Sequence, residues 1–206
     1  ILRNNNNDFA KDLTPQEVEL IYKKNSPVDT WSDIRPDWPD KEIVVAGPKS
    51  THGTYDFFQS RILGKDAPFR DDYDAYQDYV DIINKVRDNI YAIGYVGLAN
   101  HNNHRDRTTT IALNYGDKIV EPTYVNVKHD KYKVLSRKMY VYVNANRTSK
   151  PAVSKFLDVY LSSASLYSKS IGFIPFSDDH YEKLWERIEN GNTGIFTRTS
   201  SVSSRR

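Results

Sequence analysis

Cysteine is absent from the 206 residues, which excludes disulfides, thiolate metal sites and cysteine nucleophiles. A charge imbalance is also missing. Twenty-nine basic residues face 27 acidic ones, and a net charge of +2 carries no field that points to nucleic acid. No apolar run approaches the roughly 18 residues that a membrane-spanning helix needs, so an integral membrane protein is not expected. No signal peptide is visible at Ile1, as would hold equally for a mature or truncated sequence. A Gly-rich nucleotide loop is lacking, and no Ser-His-Asp order stands out, so an enzyme reading has no nucleophile to rest on. No cofactor is called for.

What is present is a chain able to bury a proper core, with 38% hydrophobic and 27% charged residues and an excess of tyrosine, 15 in all. Helices and strands alternate. Ile1 to Arg3 reads as the end of a strand running into the Asn4–Asn7 loop. Thr14, Pro15 and Glu17 form a capping box with proline at the first helical position, opening a helix to about Lys24. Trp31 and Trp38 lie in a Pro- and Asp-rich loop and are expected to pack down. Glu42–Ala46 reads as a strand, followed by a helix from near Thr54 to about Leu63. The apolar spacing Tyr76, Tyr79, Val80, Ile83, Val86 predicts a helix over 73–86. Strands are expected over 91–98, 108–114, 139–144 and 173–176. Helices are expected over 152–170 and 178–190, closed by Gly172 and Gly191. From Thr197 the Ser/Thr/Arg tail reads as disordered. The class is α/β.

The segment from Val45 to Phe58 carries the functional information. A strand ends at Gly47-Pro48, a polar loop follows, and Gly53 and Thr54 open a helix whose first N–H groups lack internal partners. A tetrahedral oxyanion accepts hydrogen bonds from such N–H groups and from the hydroxyls beside them. The same residues serve equally as a plain helix cap, and the pattern alone does not choose. Two other features carry less. His101 and His104, with Asp106 nearby, have a metal-ligand spacing, but Asn and Arg neighbours read as a loop and no third ligand is evident, so no metal is expected. Lys128, Lys131 and Lys133 are scattered around Asp130 and read as a solvated connection.

Several stretches, in order, resemble the phosphate-binding proteins of bacterial phosphate ABC transporters, in particular their cyanobacterial and rhizobial branch. They include Asp12-Leu13-Thr14, Thr30 to Pro36, Trp38 to Ile43, Gly47-Pro48 through His52 to Phe58, and Arg70 to Tyr73. Ala92 to Gly97, Leu135-Ser136-Arg137, Met139 to Asn144, Phe156 to Leu161 and Ile171 to Pro175 complete the set. The resemblance implies a type II periplasmic-binding-protein fold, two α/β lobes closing on phosphate, and no catalysis. It implies a periplasmic receptor, monomeric, that hands inorganic phosphate to a membrane permease. Residues 1–138 would be the second lobe, 139–196 the return of the chain toward the first, and 197–206 a tail. The opening lobe, with a further phosphate loop, would precede Ile1. By the same resemblance Thr51, His52, Gly53, Thr54 and Arg70 are the candidate phosphate-binding residues.

The chain departs from the family pattern at informative places. His52 stands where the family usually has serine, which replaces a hydroxyl donor by a bulkier imidazole. Tyr76 to Val80 replaces a polar run by aromatic and aliphatic residues, and Asp12 stands where many relatives carry cysteine. Arg70 suits bidentate pairing with an oxyanion, and also a local ion pair with Asp71 or Asp72. These departures keep a second reading open: a descendant of the same fold that has lost phosphate and binds something else.

Overall fold

The computed structural model describes residues 1–194, and the expected tail from Thr197 lies outside them. Within it the chain divides into two compact units, Ile1–Lys138 and a second from Met139 onward. The first is α/β. Its main sheet has five strands in the order β4-β3-β5-β1-β6, formed by β1 (Leu2–Asn4), β3 (Val44–Pro48), β4 (Asp74–Tyr76), β5 (Ala92–Gly94) and β6 (Thr108–Thr110). Strands β4, β3 and β5 run parallel, while β1 is antiparallel to both β5 and β6. A smaller sheet pairs β2 (Asp12–Leu13) in parallel with β7 (Ala112–Asn114), and β7 with β8 (Ile119–Val120).

The helices follow the sequence logic. In α1 (Pro15–Tyr22), Thr14 Oγ1 accepts from the Glu17 N–H at 3.1 Å while the Glu17 carboxylate accepts from the Thr14 N–H at 2.7 Å, which completes the capping box. The helix turns Val18, Ile21 and Tyr22 inward. A short helix not foreseen, α2 (Trp31–Ile34), starts where the Asp33 carboxylate accepts from the Thr30 N–H at 2.7 Å. Trp31 is fully buried, donates its indole N–H to the Tyr91 carbonyl at 3.0 Å, and meets Phe9 and Trp38 at ring separations of 5.3 and 5.7 Å. Helix α3 (Gly53–Phe58) continues through a π-helical turn, Gln59–Leu63.

The structure corrects six expectations. Residues 73–76 are not the start of a helix. Asp74–Tyr76 pairs with β3, and α4 (Tyr79–Asp88) begins after an Asp78 cap. The strand expected over 91–98 stops at Gly94, and Leu98–Asn102 forms α5, so His101 sits on a helix and not in a loop. The run 108–114 breaks at Ile111 and feeds two different sheets. Residues 139–144 and 173–176 form no strand among the described residues. Their Tyr/Val-rich or aromatic sequence favours a ladder only where a neighbouring strand supplies the other half of the hydrogen bonds. Helix α6 (Tyr124–Lys128) was also not anticipated.

The second unit consists of α7 (Pro151–Ser170) and α8 (Asp178–Glu189), which pack on each other, preceded by an extended segment with one 3₁₀ turn, Ala145–Arg147. Gly172 and Gly191 adopt left-handed backbone after the two helices, as their C-terminal positions require. No helix of the described residues is long and apolar enough to cross a membrane.

Candidate functional site

The parallel pairing of β3 and β4 builds the site. Pro48 is opposite Tyr76 in register, so both strands leave the sheet at the same edge and side by side. The loop 49–52 and the turn 77–78 emerge together, and the Lys49 N–H donates to the Tyr76 carbonyl at 2.9 Å to join them. In open α/β sheets, this carboxyl edge of parallel strands is where ligands sit. Each strand is followed there by a helix start, α3 and α4.

Beneath the loop lies an aromatic layer. Tyr73 donates its hydroxyl to the Pro48 carbonyl at 2.8 Å and meets the Tyr95 hydroxyl at 3.0 Å. Tyr95 stacks on Phe58 with centroids 3.8 Å apart, and Tyr22 closes edge-on against both rings. Burial pushes the Tyr73 and Tyr95 phenols well above their usual range, so both stay neutral donors. Gly47 leaves the room this arrangement needs: a Cβ there would stand 2.1 Å from the Tyr73 oxygen.

The structure brings four of the five candidate residues together. His52 is the N-cap of α3, with its N–H on the Lys49 carbonyl and its own carbonyl accepting from Tyr55, and Gly53 is exposed at the first helical position. The side chains beside it are turned toward the β4–α4 turn. Thr54 Oγ1 lies 2.8 Å from the Tyr79 hydroxyl, the His52 ring meets Tyr79 edge-on at 5.3 Å, and Thr51 Oγ1 reaches Gln77 Oε1 at 3.4 Å. His52 Nε2 is shut off from solvent and has no hydrogen-bond partner.

Arg70 is not brought to this loop. Its guanidinium is held by the Asp72 carboxylate at 2.5 and 2.8 Å, by Asp29 at 3.7 Å, and by the Ile21 and Val28 carbonyls, beside a separate cavity of about 290 Å³. Asp72 is held below the usual carboxylate range by this pairing. The arginine beside the loop is instead Arg137, which donates to the Gly53 carbonyl at 3.0 Å and lies over the Phe57 ring at 4.8 Å. It lines an open cavity of about 490 Å³ with Gly53, Asp56, Phe57 and Ser60. Sequence separation hid this contact, and the only signal was the ordered motif Leu135-Ser136-Arg137. Tyr79 was read as part of an apolar helix stripe, and its hydroxyl was missed. Among the described residues no group of three or more His, Asp or Glu side chains is placed to hold a metal ion.

The PBP superfamily domain matches residues 1–164. Over 98% of its length the chain is 30% identical to the protein SphX of Synechocystis, and over 90% it is 29% identical to the phosphate-binding protein PstS of Staphylococcus aureus. It spans 61% and 56% of the lengths of these two curated relatives. A solved structure described as a possible phosphate-binding protein of Planctomyces limnophilus superposes with a TM-score of 0.81 at 27% identity, covering 93% of this chain and 69% of that one. A phosphate transport receptor of Vibrio cholerae shares the fold with a TM-score of 0.68 at 20% identity, over 85% of this chain and 68% of the other. The PstS relative and the Planctomyces structure are named for phosphate binding, and none of these names is that of an enzyme. With an α/β unit of parallel strands, a loop at their carboxyl edge and the domain matched from residue 1 to 164, the chain belongs to the PBP superfamily.

Proposed function

We propose that the chain is the ligand-binding part of an extracytoplasmic receptor for inorganic phosphate, periplasmic and monomeric, which delivers its ligand to the permease of an ABC transporter. The observation that supports it is the loop at Thr51, His52, Gly53 and Thr54 at the carboxyl edge of β3, in a chain that aligns over 90% of its own length with the phosphate-binding protein PstS. Residues 1–138 act as the lobe that carries this loop, and 139–196 as the returning segment. Gly53 admits an oxyanion close to the backbone, and Thr54 adds a hydroxyl at the positive end of the helix. Arg70, engaged by Asp72 and Asp29, serves in this reading to hold the scaffold. No catalytic step is assigned, because the loop offers donors and no activated nucleophile.

Isothermal titration of the intact chain with inorganic phosphate tests this. A saturable heat is expected, and Thr54→Ala should weaken binding roughly tenfold, the usual worth of a hydrogen bond to a charged ligand. The loop donors as found favour a second reading, a binding protein that no longer takes phosphate. The imidazole of His52 stands at the serine position and packs on Tyr79 with its Nε2 unpartnered. A folded sample that gives no heat with phosphate would decide for it.

A further inference from the structure

We propose that Tyr79 is a positioning residue of the oxyanion loop: its hydroxyl holds Thr54 Oγ1 and turns the Thr54 proton toward a bound anion, and its ring packs against His52. This rests on the phosphate reading of the loop and names a group that the resemblance does not supply. Tyr79 comes from the first turn of α4, a different element from the loop it supports. It arrives there because β3 and β4 leave the sheet in register, and the Lys49 N–H to Tyr76 carbonyl bond holds the two exits together.

The chemistry follows from counting protons. A threonine hydroxyl and a tyrosine hydroxyl bring two O–H groups, and the contact between them at 2.8 Å uses one. One proton is therefore always left to point away from the pair. With no anion the bond runs in either direction. An oxyanion at the start of α3 accepts from Thr54, which forces the order Tyr79 O–H to Thr54 Oγ1, then Thr54 O–H to the anion. Hydrogen bonds in such a chain polarise one another, so the Tyr79 bond strengthens the Thr54 donor instead of competing with it. The contact holds Thr54 Oγ1 in place before the ligand arrives, and the anion then selects the arrangement in which Thr54 donates outward.

His52 is placed by the same residue. Its ring lies edge-on to Tyr79 with centroids 5.3 Å apart, and its Nε2, buried and without a partner, is kept from folding outward into solvent. The second contact between loop and turn, Thr51 Oγ1 to Gln77 Oε1, is longer, at 3.4 Å. Tyr79 is thus the shorter of the two side-chain links. The aromatic residue that replaces a polar family position has a task at the site.

The test is a double-mutant cycle read by isothermal titration with inorganic phosphate, on the full chain and with folding of each variant checked by its denaturation midpoint. Tyr79→Phe removes one oxygen and keeps the ring, and is expected to weaken phosphate roughly three- to tenfold. Thr54→Ala removes the donor that Tyr79 acts through. In that background Tyr79→Phe should cost little more, whereas Thr54→Ser, which restores a hydroxyl, should bring the Tyr79 dependence back. Phosphate bound by Tyr79→Phe as tightly as by wild type, or two losses that simply multiply, would overturn the positioning role and leave the phosphate reading standing. No binding by the folded wild type removes that reading, and this inference with it.

Discussion

At Gly47 a single missing methyl decides what can lie under the loop. The Tyr73 hydroxyl occupies the space a Cβ would take, and Tyr95 Cε1 stands 2.5 Å from the same point. Gly47→Ala must push out two rings that also support Pro48 and stack on Phe58, and overpacking of that kind costs about 1–3 kcal/mol. A drop of that size in chemical denaturation is the expected outcome, and under the proposed function it is accompanied by weaker phosphate binding. A change in binding alone would show that the aromatic layer yields freely. Residues of this kind were only partly legible in the sequence. Gly53 and Thr54 could be placed at a helix start because capping chemistry is local, over three or four positions. Arg70 takes the local partner its sequence neighbours offer, Asp72, but the partners of Thr54 and Gly53 are Tyr79 and Arg137, 25 and 84 positions away. Only the topology brings them together.

Among the elements, α1 was read correctly because its box is a local pattern, and that box also gives the helix a titration. Arg35 pairs with Glu17 at 2.9 Å and with Asp12 at 3.1 Å while lying over the Trp38 ring at 4.6 Å. Burial works against ionisation of Glu17, but the bonds from Arg35 and Thr14 outweigh it and leave the carboxyl below its ordinary value. Asp12 shows the same balance, with burial opposed by Asn114 and Arg35. A carboxyl with a depressed folded-state pKa adds stability that is complete above its unfolded value, near 4 for such groups. That contribution fades as pH falls through the lower folded value. Stability should therefore fall below about pH 4, and Glu17→Gln should both lower it at pH 7 and flatten the acid limb, as measured by denaturant midpoints across pH. An unchanged acid limb would mean that the pairing persists in the unfolded chain. Strand β4 shows the opposite case. Tyr76 and Tyr79 fit a helical stripe that local periodicity reads as one element, and only pairing with β3 makes Asp74–Tyr76 a strand.

Viewed as a whole, the chain distributes burial very unevenly. The first unit buries Leu2, Leu13, Ile21, Trp31, Ile82, Ile83 and Ile93 almost completely. In the second, Leu157, Pro175 and His180 are the buried positions among the described residues. Met139 is 71% exposed, Tyr142 84% and Leu166 68%, and Phe156, Tyr160 and Tyr167 are exposed beside them. Apolar burial supplies about 25 cal/mol per Å², so a helix pair with so small a buried set gains little to set against the entropy of ordering it. Stability should then differ between the units by more than propensity explains, since α7 is the longest helix of the described chain. Hydrogen exchange on the intact chain is expected to show slow amides in β3, β5 and α4, and fast ones throughout α7 and α8. Substitution should follow the same division. Ile93→Ala, at a fully buried position, should cost about 2–5 kcal/mol, and Leu166→Gln less than about 0.5 kcal/mol. If α7 exchanges as slowly as β3, and Leu166→Gln is as costly as Ile93→Ala, then a surface that covers Leu166 forms in solution. The exposed run Met139 to Tyr142, rich in strand-forming residues and without a ladder, would be the first place to look for it.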